Sequence, residues 1–89
     1  MLAAQLVERS ALRYTPAGLP ALDLGLKHES TVTQEGQPRK VSLEIAARAV
    51  GSITQRLASL EIGSQHGFAG FLGARRNGRG VLFHITELD

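Results

Sequence analysis

The 89-residue chain contains no cysteine and no tryptophan, and it has no long apolar run. The absence of cysteine excludes a disulfide framework and a thiolate-ligated metal site. No segment approaches the roughly 18 consecutive apolar residues of a membrane-spanning helix. The opening stretch MLAAQLVERS lacks the basic start and longer apolar centre of a signal peptide. We therefore expect a single cytoplasmic domain over residues 1–89, without a membrane partner.

Charge is concentrated in one place. The net charge is only +2, yet Arg75, Arg76 and Arg79 fall close together and no acid lies between Glu61 and Glu87. Acids elsewhere are interleaved with bases. A local basic cluster of this kind indicates an anionic partner.

Alternating apolar residues predict strands in five segments. The first is irregular, because Val7 and Leu12 share a face with Leu2, Ala4 and Leu6 only if a bulge intervenes. The predicted strands cover residues 2–13, the 20s, the stretch from residue 40 onward, 62–75 and 80–87. Their inward-facing sets include Leu22, Leu24, Leu26 and His28, then Val41, Leu43, Ile45, Ala47 and Ala49, and finally Val81, Phe83 and Ile85.

Turn-forming residues separate these strands. Pro16 fits the second position of a turn that ends at Gly18, and Glu35-Gly36 marks the tip of the next hairpin. Asn77-Gly78 marks a third hairpin, with the strongest short turn signal in the chain.

One segment has helical rather than strand spacing. Ile53, Leu57 and Leu60 recur as on one helix face, and Ser52 with Gln55 has the spacing of a capping box, so we predict a short helix over about 53–60. The order is then β-β-β-α-β-β. This order predicts an all-β, five-stranded OB-fold Greek-key barrel with one helix between strands three and four. An SH3-like barrel lacks that helix, and a ferredoxin-like fold needs two.

Enzyme chemistry is not indicated. The three histidines are too far apart for a local metal motif. Ser64 and His66 stand two apart on a predicted strand, a spacing that rarely gives a nucleophile–base hydrogen bond. The glycines at 63, 67, 70 and 73 follow the helix instead of preceding one, so we interpret them as aids to barrel closure and not as a phosphate loop. We expect no catalysis, no cofactor and no metal.

The segment GARRNGRG is the strongest candidate site. It joins the fourth and fifth predicted strands, and in an OB-fold that loop flanks the ligand groove. Arginine suits the recognition of phosphate and bases. Other candidates for a nucleic-acid-binding path are Lys27, Arg39 and Lys40 on strands two and three, Arg13, and Tyr14 and Phe71 as stacking groups. Because aromatics are few, we expect electrostatic attraction to dominate.

Two stretches carry a resemblance. ALRYTPAGLPALDLGLKHES resembles the first hairpin of bacterial single-stranded-DNA-binding proteins, in which a basic–aromatic–Thr-Pro turn leads into an alternating strand. GSQHGFAGFLG, followed by RRNG and a short final strand, is similar to the same family. General members carry a long tail with an acidic tip, whereas this chain ends at HITELD. It is therefore more similar to the tail-less, single-domain primosomal members, as KHESTVTQEGQPRK and NGRGVLFHITEL also indicate.

The resemblance implies a homodimeric OB-fold that binds single-stranded DNA. It implies a role in replication restart at stalled forks, bridging a restart helicase and a helicase-loading protein. By position, it places the binding surface at Arg75, Arg76 and Arg79 and at Arg39 and Lys40. Ser42 stands where better-known members have a stacking tryptophan. This departure motivates two alternatives, a protein-interaction adaptor with weak DNA binding and an RNA-binding OB domain.

Overall fold

A computed structural model describes residues 2–75 and 80–89. In chain order the elements are β1 (Leu2–Arg9), β2 (Arg13–Tyr14), β3 (Pro20–Gln34), β4 (Gln37–Val50), α1 (Ile53–Ala58), β5 (Gln65–Ala74) and β6 (Val81–Leu88). Five long strands with one helix between the third and fourth of them confirm the predicted OB-fold barrel. The two-residue β2, which pairs with the start of β3, was not predicted. Within the described ranges, no helix is long and apolar enough to span a membrane.

Strand pairing closes the sheet into the barrel. The order is β1-β5-β6-β4-β3-β2, and β1 also pairs with β3. The pairings are antiparallel except for a short parallel one between β4 and β6. The first half of β1 pairs with β5 and the second half with β3, with a bulge between Leu6 and Glu8. The bulge was predicted, but its expected effect was wrong, because Val7 and Leu12 remain exposed and β1 ends at Arg9.

The barrel interior is filled by the inward residues of every long strand and by Leu57 of α1. The buried cluster comprises Ala4, Leu6, Leu22, Leu24, Leu26, Ala47, Ala49, Leu57, Phe68, Phe83 and Ile85. Most of the predicted inward set is therefore confirmed. The predicted inward position of Val81 is wrong, since this residue begins its strand beside the loop and is 52% exposed.

The helix closes one end of the barrel and is shorter than predicted. The predicted capping box does not form, because Ser52 has helical backbone angles and its side chain makes no capping hydrogen bond. Gly51 instead makes the turn with a φ of +96°, and the buried Thr54 hydroxyl donates to the Gly51 carbonyl at 2.7 Å. At the other end, the Arg9 guanidinium donates to the Leu60 carbonyl, which ties β1 to the end of the helix.

Beyond Lys27, β3 pairs with β4 alone among the described strands, and residues 31–44 are all exposed. This part of the β3–β4 hairpin projects from the barrel, consistent with a longest dimension of 52 Å. Val41 and Leu43 lie here, 43% and 52% exposed, so their predicted core role is wrong. A period-two pattern marks one face of a strand, and this strand continues past the barrel that covers that face.

The two turns that lie within the described residues form as predicted. Gly18 N–H donates to the Thr15 carbonyl at 2.8 Å, which places Pro16 second in the turn. Glu35 and Gly36 both have positive φ, 51° and 74°, at the tip of the β3–β4 hairpin. The predicted Asn77-Gly78 turn lies outside the described residues.

Candidate nucleic-acid interface

Three of the candidate residues, Lys27, Lys40 and Ser42, lie on the outer face of β3 and β4. Along β3 the odd-numbered side chains from Asp23 to Thr31 point outward, since Leu22, Leu24 and Leu26 fill the core. The loop before β3 and the connection from β5 to β6 are, in an OB-fold, the two loops that border the ligand groove.

A first cluster lies across the barrel, and we call it the barrel triad: Arg13, Asp23 and Arg48. Arg48 Nε donates to one carboxylate oxygen of Asp23 at 2.8 Å, and Arg13 Nη2 donates to the other at 2.9 Å. Burial opposes ionisation of Asp23, but the hydrogen bonds from Arg48 and Arg13 outweigh it and lower the pKa of the carboxyl. Two cations and one anion leave this cluster with a charge of +1.

A second cluster lies further along the same face, and we call it the hairpin triad: Lys27, Glu29 and Lys40. The two ammonium groups lie 3.2 Å and 3.1 Å from the two oxygens of Glu29. Hydrogen bonds from Lys40 and then Lys27 lower the pKa of Glu29. The arrangement repeats that of the barrel triad, one carboxylate between two cations with a charge of +1.

An aromatic pair lies beside the barrel triad. The rings of Phe71 and His84 are stacked, with centroids 4.9 Å apart and planes at 14°. His84 is also the strand neighbour of Arg48 in the parallel β4–β6 pairing. A row of side chains therefore crosses the sheet from β5 to β2, in the order Phe71, His84, Arg48, Asp23 and Arg13.

Glycines make room for this pair. A Cβ at Gly70 would lie 1.8 Å from the carbonyl oxygen of His84, so only glycine allows β5 to approach β6 so closely. A Cβ at Gly73 would lie 3.1 Å from His84 Nε2, so that glycine leaves space for the imidazole. The interpretation of these glycines as structural is confirmed at Gly70, which stands at a register shift between β5 and β6.

The remaining predicted residues are dispersed. Ser42 lies opposite Glu29 on the outer face, whereas Arg39 pairs with Val32 on the opposite face of the hairpin from Lys40. Tyr14 is 67% exposed on β2. Arg75 follows β5, where its N–H donates to the Gly80 carbonyl. Arg76 and Arg79 lie outside the described residues.

Sequence reasoning missed Arg48 and His84. Arg48 stands between Ala47 and Ala49 of the predicted core face, so the alternation alone places it outward. That signal was sufficient to propose it. The same alternation places His84 outward, between Phe83 and Ile85, but its stacking on Phe71 could not be predicted because it depends on the register of β5 against β6.

The Ser64–His66 prediction needs correction. His66 Nε2 lies 2.8 Å from Ser64 Oγ, so the pair does form a hydrogen bond. The serine hydroxyl, however, donates its proton to the Glu61 carbonyl. The histidine must therefore be the donor, which is the wrong direction for activating a serine nucleophile. His28 is likewise engaged, since its Nδ1 donates to the Ala3 carbonyl at 2.6 Å.

Comparisons with known proteins agree with this fold. A family model described as "another single-strand binding protein family" matches residues 1–87. Replication restart protein PriB of Bordetella pertussis is 44% identical over 87 residues, covering 97% of this chain and 81% of that protein. PriB from Ralstonia solanacearum has a similar structure, with a TM-score of 0.85 and 33% identity over 99% of this chain and 90% of that chain.

A more distant likeness points the same way. A deletion variant of the single-stranded DNA binding protein from Thermus aquaticus gives a TM-score of 0.81 at 29% identity, over 98% of this chain and 46% of that one. The matched ranges span nearly the whole barrel. The resemblance predicted from the hairpin and the last two strands is thereby confirmed, and the chain belongs to the PriB replication restart family of single-strand binding proteins.

Proposed function

We propose that this chain is a non-enzymatic accessory protein of replication restart that binds single-stranded DNA along the outer face of its barrel and hairpin. The observation that carries the proposal is the pair of triads, which place two sites of charge +1 on one face of the barrel and hairpin; the acids Glu8 and Glu44 lie between them, beside Gly25 and Lys27. From Asp23 to Thr31 this face runs about 26 Å at roughly 3.3 Å per residue. The names of the matched relatives, which include a replication restart protein and a single-stranded DNA binding protein, support it.

The triads suit a polyanion. Each central carboxylate holds two long cationic side chains in place, so less conformational entropy is lost when a phosphate binds them. The guanidinium groups of Arg13 and Arg48 have further N–H donors beyond those that bind Asp23. A phosphate oxygen therefore has donors available without breaking the triad. We place Arg75, Arg76 and Arg79 at one end of this path.

A fluorescein-labelled oligo-dT titrated at several salt concentrations tests the proposal. Replacing Arg75, Arg76 and Arg79 together by alanine should weaken binding and reduce the salt slope by about 0.7 for each phosphate that is no longer neutralised. Arg56→Ala removes one positive charge on α1, away from this loop, and should change neither quantity. Equal affinity and slope in the wild type and the triple variant would remove the arginine loop from the interface.

We also propose a cytoplasmic homodimer that bridges a restart helicase and a helicase-loading protein. This part rests on the family, whose matched members from Bordetella pertussis and Neisseria gonorrhoeae are named replication restart protein PriB. Light scattering of the purified chain measures the stoichiometry. Binding of each protein partner alone, and then of both together, tests bridging, since a bridge requires a ternary complex.

A second candidate function is a protein-interaction adaptor that contacts the restart helicase directly. The observation that favours it is the apolar side of the projecting hairpin, where Val32, Val41 and Leu43 are 44%, 43% and 52% exposed. Leu43→Ser should abolish helicase capture without DNA if this candidate is correct, and should leave DNA binding intact. Competition between matched RNA and DNA oligomers tests the third alternative, an RNA-binding domain.

A further inference from the structure

We propose that Phe71, His84 and Arg48 form a subsite for one nucleotide, with a base stacked on Phe71 and a neighbouring phosphate on Arg48. The inference rests on the proposed function and deepens it. It adds His84 and Arg48 to the interface and assigns the base and the phosphate to separate side chains.

The Phe71 ring is stacked on one face only. One of its faces lies against the His84 imidazole in a nearly parallel stack, yet the residue remains 59% exposed. The second ring face is therefore turned to solvent. A base placed there would complete a three-layer stack, in which the base–aromatic stacking is of the kind that sequence-tolerant single-strand binders use.

His84 packs against both Phe71 and Gly73. The imidazole is confined by the Phe71 ring on one side and lies over Gly73, where a Cβ would come within 3.1 Å of it. Its imidazole supports one face of the Phe71 ring, so the two side chains stand side by side on adjacent strands. We therefore assign His84 as a positioning residue that acts through Phe71.

Arg48 is the cation of this row nearest to the aromatic pair. Arg48 is the neighbour of His84 on β4, so the backbones at Phe71 and Arg48 are separated by two strand spacings, about 9.6 Å, and the guanidinium extends toward Asp23 on β3. Asp23 occupies only Nε of Arg48, and its terminal nitrogens carry four further N–H donors. A strand of DNA that crosses β5, β6 and β4 would place a base on the ring and a phosphate within reach of this guanidinium.

The stacking of a base on Phe71 is tested by measuring the binding of each protein variant to each of two oligonucleotides. The two probes are fluorescein-labelled dT15 and a 15-mer of the same charge in which every base is replaced by an abasic site. Phe71→Ala should weaken binding of dT15 at least about fivefold, since stacking on an aromatic ring contributes a large factor per base. It should leave the abasic probe within about twofold of the wild type, because that probe has no base to stack.

Leu72→Ala is the matched control. Leu72 is the next residue of the same strand and is 61% exposed, but it lies on the other sheet face beside Leu2 and Phe83. It should change binding of neither probe. Phe71→Ala that leaves dT15 binding unchanged, or weakens both probes equally, would overturn the stacking assignment. If the wild type binds neither probe, the proposed function itself fails.

The positioning role and the phosphate contact have separate readouts. His84→Ala should lose part of the preference for dT15 over the abasic probe, and His84→Phe should restore it, whereas a merely structural defect would affect binding of both probes.

Arg48→Gln should weaken binding of both probes and reduce the salt slope by about 0.7. Arg56→Gln, the same charge change on α1, should not. An unchanged slope for Arg48→Gln would exclude the assignment of a phosphate to this residue.

The absence of tryptophan allows a direct optical test. Phe71→Trp places the only tryptophan of the chain in the subsite, and Leu72→Trp places it on the opposite face. Saturating dT15 should quench the fluorescence of the first variant and not the second, and the abasic probe should quench neither. Equal quenching of both variants by dT15 would refute the location of the base.

Discussion

Replacing Asp23 by asparagine should strengthen binding of single-stranded DNA. The Asp23 carboxylate binds two arginines, Arg13 and Arg48, and its charge repels any phosphate that approaches them. Asparagine is similar in size and retains one acceptor oxygen, so the barrel triad loses a negative charge with little change in shape. Its charge rises from +1 to +2.

The size of the effect follows from Coulomb's law. A phosphate bound to either arginine would lie roughly 6 Å from the carboxylate, where the repulsion is about 0.7 kcal/mol at a dielectric constant of about 80 and about 1.4 kcal/mol at about 40. Removing it should lower the Kd by about 3- to 10-fold at low salt. The salt slope should become steeper by about 0.7 for each additional phosphate that the variant neutralises.

The assay is anisotropy of labelled dT15 over a salt series, with Glu61→Gln as the control. Glu61 is an exposed acid that follows α1 and belongs to neither triad, and its replacement by glutamine makes the same change in net charge. If Asp23→Asn and Glu61→Gln strengthen binding equally, only net charge matters and the triad has no local role. If Asp23→Asn weakens binding, the ordering of the two arginines by the carboxylate outweighs its repulsion of phosphate, and the predicted gain in affinity is refuted.

Three further outcomes concern stability. The pKa of Asp23 is lower in the folded state than its ordinary value of 3.8. Its ion pairs therefore stabilise the fold fully above that pH, and this stabilisation is lost as the pH falls through the folded pKa. The Tm difference between the wild type and Asp23→Asn, measured by circular dichroism, should shrink below about pH 4. Phe68→Ala should lower the free energy of unfolding, measured in urea, by about 3–5 kcal/mol, because the ring is fully buried. If its effect is no larger than that of Phe71→Ala, the assignment of Phe68 to the core is contradicted. Gly70→Ala should lower the Tm far more than Gly25→Ala. The new methyl at position 70 would lie 1.8 Å from a backbone oxygen, whereas at position 25 it would lie 3.2 Å from Glu8 Cβ. Equal Tm values would contradict the close approach of β5 to β6.

The barrel itself was predictable because its signals are local. Alternation identified the core faces of β3 and β6, and Pro16 and Glu35-Gly36 identified the turns between strands. What alternation does not report is how far a strand continues beyond its neighbours. Val41 and Leu43 follow the same pattern as Ala47 and Ala49, but they stand on a part of β4 that, among the described strands, pairs with β3 alone, and they are exposed there.

The candidate site was less predictable because its contacts depend on register. Asp23 meets Arg13 and Arg48 from 10 and 25 positions away in the sequence. Phe71 meets His84 only because the β5–β6 register shifts by one residue at Thr86; in an unshifted ladder, Phe71 would pair with Ile85. Single side chains could therefore be nominated from the sequence, whereas their pairing with acids and with each other required the strand alignment.

The triads have a consequence for the kind of anion that this face selects. A single phosphate is attracted by two cations but is opposed by the carboxylate already between them, so each triad binds an isolated anion weakly. A DNA strand presents many phosphates, and once one is held the next reaches the second triad at a high effective concentration. The two triads therefore act together only on a ligand long enough to span both, about 13 Å from Asp23 to Lys27 along the strand. This arrangement favours an extended polyanion over free phosphate or a mononucleotide, without requiring either triad to bind tightly by itself.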